Sequence, residues 1–218
     1  ELLQIAANIE GHPDNVAPAL YGGIQLGIHT RSPSNPTGGR WLSSRVPIPE
    51  GLQLIIFVPD TPFETKTARK LLPEKYKPKE AIFNVGRAAF LVNALNKGEL
   101  RDLFFGVQDS MHQPYRAKVL KHLKPLVDAA VKAGAHGCYL SGAGPTVLAI
   151  TSGAAGDIFT QRAEERCEIK VADAMAETAK TLNVQGKVYV ASPSIRGAHI
   201  VEASPPFSQG VVQYPGQI

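Results

Sequence analysis

Cysteine is scarce in this chain: its 218 residues include two, Cys138 and Cys167. They lie far apart and form no metal-type spacing, a usage that suits a reducing compartment, with Cys138 expected as a small buried residue. No apolar run approaches ~18 residues, which excludes a membrane-spanning helix, and no stretch has the form of a signal peptide. Aromatic residues make up 7%. The net charge is +4, yet the Lys and Arg are scattered, many on helical faces beside Glu and Asp. A nucleic-acid footprint is therefore not expected; a mild pull on anionic substrates is. Neither GxxxxGK[ST] nor GxGxxG occurs, so the chain has no P-loop. There is no internal repeat.

What is present is 44% apolar residues, enough for one generous core or two small ones. Leu2, Leu3, Ile5, Ala6 and Ile9 follow helical spacing with no capping residue before them. This uncapped amphipathic helix is expected to continue from a longer chain. Residues 15–20 read as a short helix and 24–28 as a strand. Residues 31–40, RSPSNPTGGR, have turn chemistry throughout. Leu52 to Val58 is a buried strand stopped by Pro59, and Thr65 to Leu72 a short helix ended by Pro73. The spacing predicts a longer helix over 79–95, with Ile82, Val85, Ala89 and Val92 on its apolar face, and another over 120–133. Strands are expected at 137–140 and 147–150 around a small-residue loop, then a helix over 158–182 and strands at 187–191 and 199–202. From Ser204 the Pro, Gly and Gln content predicts an unpacked tail. Hairpin-like connections favour a layered α+β fold over a doubly wound parallel sheet.

Four short segments carry chemistry. Glu10-Gly11-His12-Pro13-Asp14-Asn15 packs two carboxylates, an imidazole and an amide into six residues, with Pro13 restricting the backbone between them. Asp14 or Asn15 would serve equally as an ordinary cap for the following helix. Ser141-Gly142-Ala143-Gly144-Pro145-Thr146 lies between two apolar strands, where successive N–H groups can form an anion-binding nest; a tight hairpin would use the same residues. Thr65-Lys66-Thr67-Ala68-Arg69 crowds hydroxyl and cationic groups onto the first turns of a helix, a pattern that ordinary solvated charge also produces. In Asp109-Ser110-Met111-His112-Gln113-Pro114-Tyr115-Arg116, the arginine could fork onto a ligand carboxylate or form a structural ion pair.

In combination these segments are more specific. EGHPDNVAPALYGG (10–23), TKTARKLLP (65–73), DSMHQPYRA (109–117) and SGAGPT (141–146) resemble, in order and spacing, the homoserine kinases of the GHMP superfamily, over roughly residues 1–200. SGAGPT alone indicates the superfamily; HPDN followed by HQPYR narrows it. The resemblance implies transfer of the ATP γ-phosphate to the side-chain hydroxyl of L-homoserine, a step toward threonine. It implies Glu10 as a ligand of Mg²⁺, His12 at the amino acid, Asp14 nearby, and Asn15 close to the phosphoryl group. Arg116 and Arg69 would meet the homoserine carboxylate or the transferred phosphate, and Thr65 would add a hydroxyl. Gly142, Ala143 and Gly144 would close the site through backbone N–H groups. Phosphoryl transfer depends on positioning and charge neutralisation, so Mg²⁺, Asn15 and Arg69 are expected to act on aligned reactants without a strong general base. Asp14, the third catalytic candidate, is the only local carboxylate besides Glu10 that could take the proton.

The same resemblance implies three stretches: the end of a ribosomal-S5-like N-terminal domain over 1–48, a ferredoxin-like C-terminal domain over 49–202, and a disordered tail over 203–218. A homodimer is common in such families. The compartment would be the cytoplasm, or the plastid in a plant or alga. The family's nucleotide loop, P-x-x-x-G-L-G-S-S-A, does not occur in this sequence. Residues 1–218 alone are thus expected neither to bind ATP productively nor to turn over, and the bare apolar face of the first helix would promote association. Two rival readings remain: another GHMP kinase or decarboxylase, and a catalytically silent ligand-binding homologue.

Overall fold

The structure, a computed structural model, describes residues 1–31, 34, 38–152 and 167–200, leaving out the side chains of Thr65 and Lys66. The chain divides into two compact units. One comprises residues 1–43 with the segment beginning at 195, the other residues 44–194.

In the first unit, α1 (Leu2–Glu10) and α2 (Val16–Tyr21) precede the two-stranded sheet of β1 (Ile24–His29) and β2 (Trp41–Val46). Strand β2 carries the chain across the division into the second unit. Leu3, Ala7 and Ala17 form a small core with Val16, Leu20 and Trp41 packed on it. Of the apolar residues expected to share one face of α1, Leu3 is buried, whereas Leu2, Ile5 and Ile9 are exposed. Trp41 fixes α1 to β2: its backbone exchanges hydrogen bonds with the Gln4 amide at 2.7 and 2.9 Å, and its indole N–H donates to Asn8 Oδ1 at 2.8 Å. Residues 195–198 join this unit rather than the second, through the Ala198 N–H donating to the Ala19 carbonyl at 2.8 Å.

The second unit is built on a four-stranded antiparallel sheet, in the order β4-β5-β3-β6, of β3 (Gln53–Pro59), β4 (Gly137–Leu140), β5 (Val147–Thr151) and β6 (Gly186–Ala191). β3 lies centrally, pairing Phe57 with Val147 on one side and with Val188 on the other. Two crossovers with helices separate β3 from β4 and β5 from β6, while β4 and β5 form a hairpin; the result is the split β-α-β-β-α-β arrangement. Side chains alternate across a strand, so Ile55 and Phe57, Cys138 and Leu140, and Val147 and Ala149 turn one face of the sheet into a core. Leu123, Leu126 and Ala130 of α7 (Leu123–Lys132) and Val171, Met175 and Ala179 of α8 (Glu168–Thr181) cover it. Each large side chain buried this way contributes about 1.5–3 kcal/mol.

Between β3 and α7 run α3 (Thr65–Lys70), α4 (Pro78–Lys97), a 3₁₀ turn at Leu100–Asp102, α5 (Leu103–Gly106) and α6 (Gln113–Arg116). Pro78 opens α4 at its first position, and the Glu80 carboxylate accepts the Lys77 N–H at 2.8 Å, satisfying a donor at the helix start. Gly98 ends it in the left-handed region with φ 70°. The apolar face expected for α4 needs correction. Ile82 and Val85 are 72% and 70% exposed and Ala89 is also exposed, while Val92 is half-buried; the half-buried and buried positions also include Ala81, Asn84, Arg87, Leu91, Ala94 and Leu95. Helical spacing was right and the inward face was wrong at three of its four positions, because Asn84 and Arg87 take packed positions in their place.

Two further expectations meet the structure differently. His199 and Ile200 take no strand, and 201–202 lie outside the described residues. The first part of the helix read over 158–182 and the tail from 204 lie outside them as well. Among the described residues, no helix is long and apolar enough to cross a membrane.

Candidate active site

In the first unit, α1 ends at Glu10, and the Gly11 N–H closes the helix by donating to the Ala7 carbonyl at 2.8 Å. The loop then turns through His12, Pro13 and Asp14 into α2. Buried Pro13 anchors this loop: a Cβ at Gly27 of β1 would lie 2.4 Å from the Pro13 ring, so β1 needs glycine there to let the loop sit down. His12 is held between two acids. Its Nε2 lies 3.9 Å from Glu10 Oε1, and its Nδ1 contacts Asp14 Oδ1 directly. Asp14 Oδ1 also accepts the Asn15 N–H at 2.9 Å. Asn15 precedes α2 without a side-chain cap bond, and its amide is exposed. The capping alternative therefore does not account for Asn15. Glu10, Asp14 and Asn15 present polar ends to solvent around a half-buried imidazole.

In the second unit, Arg116 sits on α6 at 6% exposure, and its Nη1 donates to the Gly142 carbonyl at 2.8 Å. This bond joins the HQPYR segment to the SGAGPT loop. The structural ion pair raised for Arg116 is not seen: among the described residues no carboxylate lies within ion-pair distance, and its buried Nε has no hydrogen-bond partner. Burial pulls the Arg116 guanidinium below its ordinary pKa, and the charge of Arg69 adds to that effect; Asp109 and Tyr76 oppose it. The structure thus brings Arg69, exposed on α3, into electrostatic range of Arg116. Thr65 opens α3, with its side chain outside the described set.

The loop itself is a tight turn. The Ser141 N–H donates to the Thr146 carbonyl and the Gly144 N–H to the Ser141 carbonyl, each at 2.9 Å. Gly144 thus spends its donor internally, whereas the N–H groups of Gly142 and Ala143 have no partner among the described residues. Gly142 has φ 55° and open space where a Cβ would stand, so backbone conformation rather than crowding calls for glycine there. His122, buried, donates from Nε2 to the Pro145 carbonyl at 2.8 Å and braces the turn from behind.

Sequence reasoning quoted Asp109 and Gln113 without a role and missed Asn84 and Arg87. Asp109 organises the loop before α6. Its Oδ1 accepts the Met111 N–H at 2.8 Å and Asn84 Nδ2 at 2.7 Å; its Oδ2 accepts the His112 N–H at 2.8 Å and, in a closer contact, the Gln113 N–H. Burial alone would raise the Asp109 pKa, but these bonds, led by Asn84, outweigh it and hold the carboxyl below its ordinary value. Asn84 Oδ1 receives the Ser110 N–H at 2.9 Å, and Gln113 Oε1 receives the Leu140 N–H at 3.0 Å. Arg116 is therefore delivered to Gly142 by a helix whose start is pinned to α4 and β4. The signal that could have found Asn84 and Arg87 is their spacing of three and then four to Leu91 and seven to Ala94, which sets polar residues on the packed stripe. Asn84, Arg87, His112, Arg116 and Gly142 all line one cavity of about 280 Å³ in this unit.

Among the described residues, no group of three or more His, Cys, Asp or Glu side chains could hold a metal ion by itself. A Mg²⁺ shared with nucleotide phosphates needs only one or two carboxylates, and the exposed Glu10 carboxylate fits that lesser demand.

The family described as GHMP kinases C terminal matches residues 91–169. A homoserine kinase of Thermosynechococcus vestitus is 36% identical over 202 residues, spanning 93% of this chain and 61% of that protein. One from Caldanaerobacter subterraneus is 40% identical over 152 residues, 70% of this chain and 46% of its own length. The crystal structure of homoserine kinase from Cytophaga hutchinsonii superposes with a TM-score of 0.69 at 28% identity, covering 84% of this chain and 52% of that one. The chain spans about half to three fifths of the length of the curated relatives it matches. With a mixed α+β fold of antiparallel sheets and these similarities, the chain carries a GHMP kinase C-terminal domain and is a homologue of the homoserine kinases.

Proposed function

We propose that the protein phosphorylates the side-chain hydroxyl of L-homoserine with ATP, a reaction on the way to threonine. The observation that carries this reading is Arg116: a buried guanidinium held to the Gly142 carbonyl, with no carboxylate of the described chain within ion-pair distance. Such a cation is costly unless a ligand anion completes it, and the carboxylate of an amino-acid substrate suits its planar fork. Arg69 adds positive charge within electrostatic range, and Thr65 would contribute a hydroxyl. The N–H groups of Gly142 and Ala143 would meet phosphate oxygens, with Gly144 shaping the turn.

In the first unit, His12 would contact the amino acid, aligned by Asp14. Asn15 would orient the reacting hydroxyl and the phosphoryl group. Glu10 would hold Mg²⁺, which when bound neutralises phosphate charge. Asp14 is already engaged by His12 and by the Asn15 N–H, which favours an orienting part for it over that of proton acceptor. We read the first unit as the end of a ribosomal-S5-like domain and the second as a ferredoxin-like C-terminal domain. Bacterial relatives favour the cytoplasm. Since no P-x-x-x-G-L-G-S-S-A loop occurs in the sequence, residues 1–218 alone would be inactive.

The test is ADP formation by the protein from its complete reading frame, offered homoserine, serine or mevalonate. Homoserine is expected to be preferred. Preference for mevalonate would point to another GHMP kinase, and no turnover with any of the three would leave a silent homologue.

A further inference from the structure

We propose that Arg87, on the inward face of α4, is a second basic ligand in the cavity that Arg116 lines, and that this cavity takes a small molecule through a carboxylate or phosphate group. The proposal rests on the reading above only for the role of Arg116; it does not require homoserine.

The argument begins with charge. Arg87, Arg116 and His112 line a space of about 280 Å³, and among the described residues Asp109 is the only carboxylate on its wall. That carboxylate cannot serve as their hydrogen-bonding counter-ion. Its two oxygens already accept four bonds, from Asn84, Met111, His112 and Gln113, which is about the capacity of a carboxylate.

The donors point the same way. Among the described residues the buried Nε atoms of Arg87 and Arg116 have no hydrogen-bond partner, and Arg116 is 94% enclosed by the protein. Burying a cation without a counter-charge is costly, so two arginines lining one cavity mark a place where an anionic ligand would offset that cost. Arg87 is also oriented in advance. Its guanidinium lies 4.5 Å above the Phe83 ring centre and 5.9 Å from that of Phe105. Ring stacking fixes the plane of the group without using its N–H donors. Such a cation is ready for an oxyanion, because little freedom is lost on binding.

The experiment is calorimetric titration of the protein from its complete reading frame with inorganic phosphate and, separately, with propionate, at constant ionic strength. At least one probe is expected to saturate the wild-type protein, and Arg87→Gln to weaken that binding tenfold or more. Arg101→Gln, at an exposed arginine of the 3₁₀ turn, is expected to leave it unchanged. Unaltered affinity in Arg87→Gln, or no saturable binding of either probe, overturns the proposal. If Arg87→Gln does not fold, the Nε–Hε resonance of Arg87 in the wild-type protein serves instead: it should shift on titration, and a fixed resonance refutes the site. Phosphate binding at Arg87 without ADP formation from homoserine would support the site and remove the homoserine reading. Homoserine turnover with anion binding indifferent to Arg87 would remove the site alone.

Discussion

Asp109 shows how much one carboxylate can organise. Three backbone N–H groups and the Asn84 amide converge on it, so the turn leading into Arg116 exists largely because this side chain is ionised. Its pKa is depressed, so its contribution is fully present above the ordinary carboxylate value of about 3.9. It is lost as pH falls through the lower folded value. Asp109→Asn keeps one oxygen and exchanges the other for a donor facing donors. Denaturant melts should show it less stable by about 1–3 kcal/mol at pH 7, with the gap to wild type closing below pH ~4. A gap independent of pH would show that charge is not what Asp109 supplies. Asp14 makes the contrasting case. If it only orients His12, Asp14→Asn should lower turnover less than about tenfold, since a true general base contributes about 10²–10⁴. A hundredfold collapse with homoserine and ATP binding intact would make it the base.

At the scale of elements, α4 separates what periodicity can tell from what it cannot. The helix was legible from spacing. Its inward face was not, because Asn84 and Arg87 occupy packed positions that a hydrophobicity pattern assigns to solvent, while Ile82 and Val85 stand outside. Replacing both Ile82 and Val85 by Lys should shift stability by no more than about 0.5 kcal/mol per site. Leu95→Ala, deleting a buried side chain on the true inner face, should cost about 2–5 kcal/mol. The reverse ranking in thermal melts would restore the sequence-based face. The four strands of the larger sheet were easier to read, since short apolar runs bounded by Pro59, Gly137 or Pro145 have few other fates. The site was legible as words but not as contacts. Arg116 was recognisable, whereas its bond to Gly142 links positions 26 residues apart, and no local rule reports such a pairing.

Across the whole molecule, the two cysteines report on the larger core. Cys138 lies within it, and burial pushes its thiol pKa up to about 12; Cys167 is half-buried, with its pKa also raised by burial and by the Glu168 carboxylate. At pH 8 an alkylating reagent should modify Cys167 slowly and Cys138 only on unfolding, because the thiolate is the reactive form. Early labelling of Cys138 by mass spectrometry would mean that the sheet and its covering helices part more readily than their packing implies. The smaller unit raises a different matter, one of timing. Its helix α2 is tied by Ala19 to Ala198, a residue translated almost 180 positions later. Chains emerge from the ribosome at roughly 5–20 residues per second. The loop bearing Glu10, His12 and Asn15 must therefore wait on the order of ten seconds for this brace, while every strand of the larger sheet has already left the tunnel.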